Sequence, residues 1–355
     1  MIRKALLPAV ALALAVAPDG SRADAEVVDQ PVAFEVVNKN HSLVPCQSDG
    51  KTYTLHGSLV APESVLDAEK PAVTLYVHGA ILAGDNLWRM RPEGDDSFDF
   101  GLAMARLGHA SVSIELVGYG GSVTADRPDG NLVCQGSHAD VIHQVVDTLR
   151  AGGYDFGGTS SGPAFDRVAV AGLSYGAQFA QPTVYSFRNV DALIVMGYAE
   201  PFPGSPEFWA STPEYGAGCL RNDHKYDDGS GPAGYTTPRL ELVPAWLFND
   251  PDPRAEAEVI RLAERDPCGQ LSSAGVRIAT DAAHLGEIDV PVLLTYGDHD
   301  EVMGQPGPQI HFLRFAGSSD RTLMLFPGAG HVFFLEKNRA AWIGMIAGWL
   351  EGHGF

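Results

Sequence analysis

The stretch Val168-Ala-Val-Ala-Gly-Leu-Ser-Tyr-Gly-Ala-Gln178 decides the fold. It reads as an apolar strand, a Gly-x-Ser-x-Gly turn with Ser174 at its apex, and the start of a helix. Glycines flank the serine because larger residues would collide as the two arms of a tight strand-to-helix reversal close. Such a turn exposes Ser174 Oγ and aims the N–H groups of the helix start at a developing negative charge. A glycine-rich chain meets this pattern by chance, and Gly158-Thr-Ser-Ser-Gly162 is a second copy. That copy follows Gly157 and precedes Pro163, with no apolar strand leading in, so it reads as a loop and the context selects Ser174.

Working outward, strands are expected over 33–37 and 52–60, where alternation suits an antiparallel pair exposed on one face. Ala72-Val-Thr-Leu-Tyr-Val77 is a buried strand running into His78-Gly79-Ala80. A helix over 98–107, a strand over 110–116 ending near Gly118-Tyr-Gly-Gly-Ser122, and a helix over 139–149 lead to the central turn. Beyond it come strands over 192–196, 291–296 and 322–326 and a closing helix over 340–350. Strand alternates with helix throughout, which implies an α/β fold: a doubly wound, mostly parallel sheet with ligands bound past the carboxyl ends of its strands. The stretch 200–288, rich in Pro, Gly and aromatic residues, is too long for a structureless loop. It reads as a cap inserted after the sixth strand, with a helix over 255–264. The expected organisation is 1–25 signal peptide, 26–199 first part of the core, 200–288 cap, and 289–355 second part of the core.

The formal charge of −20 argues against nucleic acid or an anionic membrane surface as a partner, since both would repel the chain. Arg3 and Lys4, an apolar run over 5–17 and Ala23-Asp-Ala25 form the pattern of an export signal cleaved after Ala25, for a secreted or periplasmic protein. The run is too short to span a bilayer, and no later segment reads as transmembrane. Cys46, Cys134, Cys219 and Cys268 permit three complete pairings, with free buried thiols as the alternative. Cys219 and Cys268 fall within the inserted stretch, which leaves Cys46 with Cys134. None has the spacing of a metal site.

Two residues would meet Ser174 at the same sheet edge. Asp300 follows a strand in Thr295-Tyr-Gly-Asp-His-Asp-Glu301, and His331 follows the next in Phe326-Pro-Gly-Ala-Gly-His331. The order Ser174, Asp300, His331 suits a nucleophile, an orienting acid and a general base. The plainer readings are a helix cap for Ser174 and a surface turn for His331. Asp298 competes for the role of acid. A metal cluster over 298–300 is disfavoured because adjacent residues on one short turn seldom converge on one ion.

With these motifs the chain resembles the α/β-hydrolase superfamily over nearly all of its length after the signal. His78-Gly79-Ala80 is similar to that family's His-Gly turn after the third strand, and Gly118–Ser122 to its loop after the fourth. Gly297-Asp-His-Asp300 and Gly328-Ala-Gly-His331 match its acid and histidine turns. The resemblance implies oxyanion donors at the N–H groups of Tyr175 and Ala80, and brings in Glu200, after the preceding strand, as an alternative acid. A serine rather than an aspartate at the turn suits acyl transfer. The reading is a serine hydrolase for carboxylic esters, including lactones, without metal or other cofactor, acting on a small molecule. The alternatives are a peptidase or amidase, iminopeptidase-like if a cap carboxylate holds the substrate amine, and a non-catalytic binding protein. Phe208, Trp209, Tyr215, Tyr226, Tyr235, Trp246 and Phe248 are candidates to line an apolar pocket. Oligomeric state is left open.

Overall fold

The computed structural model describes residues 26–121 and 127–355. The expected signal over 1–25 and Ser122 lie outside the described residues. Among the described residues eleven strands form in chain order: β1 (Val27–Val37), β2 (Thr52–Pro62), β3 (Ala72–Val77), β4 (Ser111–Ile114), β5 (Asp155–Phe156), β6 (Arg167–Leu173), β7 (Ala192–Met196), β8 (Tyr235–Thr236), β9 (Asp266–Pro267), β10 (Val292–Gly297) and β11 (Arg321–Phe326). Nine make one sheet in the order β11-β10-β7-β6-β3-β4-β2-β1-β5, and β8 and β9 pair separately. The run from β4 to β11 is parallel, while β2, β1 and β5 join antiparallel. The sequence reading missed β5, so the strand it counted as sixth is β7. The β4 strand is shorter than expected, ending at Ile114, and two residues on the Leu116 N–H donates to His78 Nε2 at 3.1 Å instead of to a neighbouring strand.

β3, β4, β7 and β10 are buried along their whole length. The near-continuous apolar runs of β3, β7 and β10 are what parallel strands need when helices cover both faces, while β4, Ser-Val-Ser-Ile, alternates. The helices Gln135–Ala151 and Tyr175–Phe187 pack together against β6, and Phe100–Arg106 packs with Arg339–Gly352. Register then delivers the site. Val77 pairs with Gly172, Leu173 and Thr295 with Met196, and Gly297 with Phe326. The carboxyl ends of β3, β6, β7, β10 and β11 therefore share one edge, where the residues following each strand emerge together.

The stretch 200–288 consists of short helices, among them Pro206–Ser211, Pro213–Arg221, Pro253–Leu262 and Ala274–His284, with the β8–β9 pair between them. Disulfides join Cys46 to Cys134 and Cys219 to Cys268. Among the described residues no helix is long and apolar enough to cross a membrane.

Three buried histidines are each held in one neutral tautomer. His78 donates from Nδ1 to the Gly79 carbonyl and accepts the Leu116 N–H at Nε2. His138 donates from Nε2 to the Val117 carbonyl and accepts from Gln270 at Nδ1. His311 accepts the Glu200 N–H at Nδ1 and donates from Nε2 to Gln181. A second proton would set N–H against N–H, and burial pulls the three imidazoles down to about 4, 3 and 3. The unfolded chain binds these protons below about pH 6.5 and the folded chain does not, so stability is lost as pH falls through that window. Asp266, pushed up to about 6 by burial, and Asp281, also raised by burial, act in the opposite sense. Three groups against two leave a net loss on the order of 1 kcal/mol per pH unit near pH 5. Urea unfolding at pH 7 and pH 5 checks this; equal or greater stability at pH 5 contradicts it.

Candidate active site

Ser174 sits between β6 and the helix Tyr175–Phe187 with φ 53° and ψ −113°. A non-glycine residue is rare there and costs on the order of 1–3 kcal/mol. The flanking glycines make the turn possible. A Cβ at Gly172 would lie 2.3 Å from the carbonyl carbon of Gly176, and one at Gly176 would lie 2.3 Å from the Val77 carbonyl oxygen. The Ser174 N–H donates to the Met196 carbonyl at 2.8 Å, which ties the turn to β7. The decoy Ser160 lies exposed in the loop after β5.

His331 and Asp300 come together after β11 and β10. His331 Nδ1 donates to Asp300 Oδ2 at 2.9 Å, and both side chains are buried. The other carboxylate oxygen accepts the N–H groups of Val302 and Met303, each at 2.9 Å, which fixes the carboxyl plane. With its proton on Nδ1, His331 presents an unprotonated Nε2. The histidine loop is pinned by buried Glu336, which accepts the N–H groups of Gly330, Asn249 and Asp250 at 2.7–2.9 Å. Gly197, at φ +55°, leaves room for the ring: a Cβ there would lie 3.1 Å from His331 Cε1.

The two other acids lie elsewhere. Glu200 is buried in a cationic cage: Arg277 Nη1 donates to Oε1, Arg314 Nη1 donates to Oε2 at 2.9 Å, and the Tyr198 hydroxyl donates at 2.6 Å. Asp298 is exposed and accepts the Gly328 N–H at 2.7 Å, bracing the turns after β10 and β11.

The turn after β3 passes close to the serine, since a Cβ at Gly79 would lie 3.3 Å from Ser174 Cβ. Ala80 and Tyr175 both border the cavity above Ser174. Tyr175 opens its helix, so its N–H has no acceptor within that helix.

That cavity holds about 340 Å³ and is bordered by both Ser174 and His331. Of the seven aromatic candidates, Phe208, Trp209, Tyr215 and Trp246 line it, and Tyr226, Tyr235 and Phe248 do not. Trp246 meets the His331 ring edge-on at 6.3 Å and Phe208 at 5.5 Å. Phe202, Thr212, Gly216, Leu271, Val302, Met303 and Gln178 complete the wall and escaped the sequence reading. Gln178 was within reach of it, being one helical turn beyond Ser174 on the same face. Its Oε1 accepts from Gln135 Nε2 at 3.0 Å and Arg277 Nη2 at 3.5 Å. None of the described residues lining the cavity is Asp, Glu, Lys or Arg.

The sequence matches the alpha/beta hydrolase family over residues 74–343, and the chain belongs to that family. Among solved structures it is similar to a monoacylglycerol lipase from Paleococcus ferrophilus, with 17% identity over 80% of this chain and 95% of that one and a TM-score of 0.56. It is also similar to a monoglyceride lipase from Saccharomyces cerevisiae, with 15% identity, 89% and 97% coverage and a TM-score of 0.61. A thermophilic esterase from Thermogutta terrifontis shows 16% identity, 89% and 100% coverage and a TM-score of 0.56. A comparison with curated proteins finds no match.

Proposed function

We propose that the protein is an exported serine hydrolase that cleaves carboxylic esters through an acyl-enzyme. The observation that carries this reading is one aromatic-walled cavity bordered by both a serine on a strained strand-to-helix turn and a histidine bonded to a buried carboxylate. In the proposed reaction Ser174 Oγ attacks the carbonyl carbon as its proton passes to His331 Nε2. Asp300 holds the tautomer and stabilises the imidazolium. The oxyanion takes hydrogen bonds from the Tyr175 and Ala80 N–H groups, donors worth several kcal/mol in the transition state. His331 returns the proton to the departing alkoxide, and water, deprotonated by the same base, then releases the acid. The stretch 200–288 serves as a cap over this cavity, and residues 1–25 direct export.

The walls favour a neutral, apolar acyl group. An aminopeptidase-like reaction needs a carboxylate to hold the substrate amine, and among the described residues the cavity lining offers none. A panel of p-nitrophenyl esters, lactones and aminoacyl arylamides tests the reading. Esters of medium-chain and aromatic acids are expected to turn over at least about a hundredfold faster than the arylamides, the size of effect expected when a site lacks a partner for a charged group. Activity confined to arylamides overturns the ester reading. A folded protein whose Ser174 does not react with a fluorophosphonate overturns catalysis altogether.

A further inference from the structure

The turn that carries Ala80 is held from a distant part of the chain. The Leu82 N–H donates to the Ala80 carbonyl at 2.8 Å, closing a γ-turn around Ile81, whose φ is +60°. A β-branched residue at positive φ is a steric outlier, and a γ-turn of this hand is rare and strained. Such a conformation persists only where its surroundings over-determine it. At Ile81 one short segment takes both backbone polar groups. The Glu264 N–H donates to the Ile81 carbonyl at 2.7 Å, and the Ile81 N–H donates to Asp266 Oδ1 at 2.9 Å.

Asp266 is fully buried and is itself fixed. The Tyr119 hydroxyl donates to Oδ1 at 2.7 Å and the Tyr215 hydroxyl to Oδ2 at 2.8 Å. Its strand pairs with β8, and the Cys219–Cys268 disulfide lies two residues on. Tyr215 also lines the cavity, so one carboxylate joins the pocket wall to the turn beside the serine.

We propose that Asp266 is a positioning residue for the reaction. By holding the Ile81 N–H it fixes the γ-turn and so aims the Ala80 N–H at the oxyanion. This rests on the reading of Ala80 as an oxyanion donor. Asp266 touches no reacting atom, so its test must report on the donor and not on stability alone. A thionoester supplies that report, because its sulfur is a poor hydrogen-bond acceptor and the oxyester-to-thionoester rate ratio therefore measures the oxyanion donors.

In Asp266→Ala, with folding checked by circular dichroism and thermal melting, kcat on the oxyester is expected to fall about 10- to 100-fold. KM should stay within about threefold, and the oxyester-to-thionoester ratio should fall at least about fivefold. Asp266→Asn keeps an oxygen within reach of Ile81 but loses the charge, so its ratio should fall about two- to fivefold, and it decides the matter if the alanine variant does not fold. A wild-type ratio in a folded alanine variant, or in the asparagine variant when only that one folds, overturns the proposal even if kcat drops. Wild-type protein that hydrolyses neither ester overturns the ester-hydrolase reading beneath it. Wild-type activity with unchanged ratios in the variants removes Asp266 alone.

Discussion

Ser174→Ala is expected to lower kcat on a p-nitrophenyl ester by a factor on the order of 10⁴ to 10⁶ while the protein stays folded. Removal of the nucleophile forces direct attack by water and leaves only the oxyanion donors and binding to assist it. Stability should hold because the hydroxyl makes no capping bond to its helix. The strained backbone is set by β6, by the Gly172–Gly176 contact and by the bond to Met196, and all three survive the change. Steady-state kinetics and a thermal melt check it together. Residual activity above about 1% of wild type, far more than the loss of a nucleophile allows, in a folded variant would sink the mechanism.

The acid is tested by a pair of substitutions with opposite signatures. In Asp300→Asn the side-chain oxygen can still accept the N–H groups of Val302 and Met303, so the turn is kept. The amide then faces His331 Nδ1 with a donor, and the ring must adopt the tautomer that places its proton on Nε2. That nitrogen can no longer take the serine proton, and kcat should fall about 10³- to 10⁴-fold with little change in melting temperature. Glu200→Gln should do the reverse. It leaves Arg277, 1% exposed, with Asp281 as its remaining charged partner, at a cost of about 3 kcal/mol in stability. Its kcat should stay within a few fold of wild type. An inactive Glu200→Gln beside an active Asp300→Asn would reverse the two roles.

The parts of this molecule legible in the sequence are those governed by short-range rules. The central turn announced itself because two glycines are needed where backbone atoms would otherwise meet, and the apolar strand ahead of it set it apart from Ser160. The parallel strands were readable as apolar runs. The two-residue β5 carries no periodicity and went unseen. Both Asp300 and Glu200 follow a strand, and nothing local separates them. The difference lies in Arg277 and Arg314, 77 and 114 residues from Glu200, which arrive only with tertiary structure. The clasp on Ile81 is hidden for the same reason, since Asp266 is 185 residues away. The cavity wall was half legible: aromatic side chains advertise themselves, but which of them face inward depends on short helices with no repeating pattern.

The two disulfides span 88 and 49 residues. In a chain-entropy account, loops of this size lower the freedom of the unfolded chain by about 4–5 kcal/mol each. That is a large share of the roughly 5–15 kcal/mol that holds a typical fold together. Preparation of the protein then becomes a redox question: a chain made where thiols stay reduced forgoes both tethers, and oxidising production governs the yield of active material.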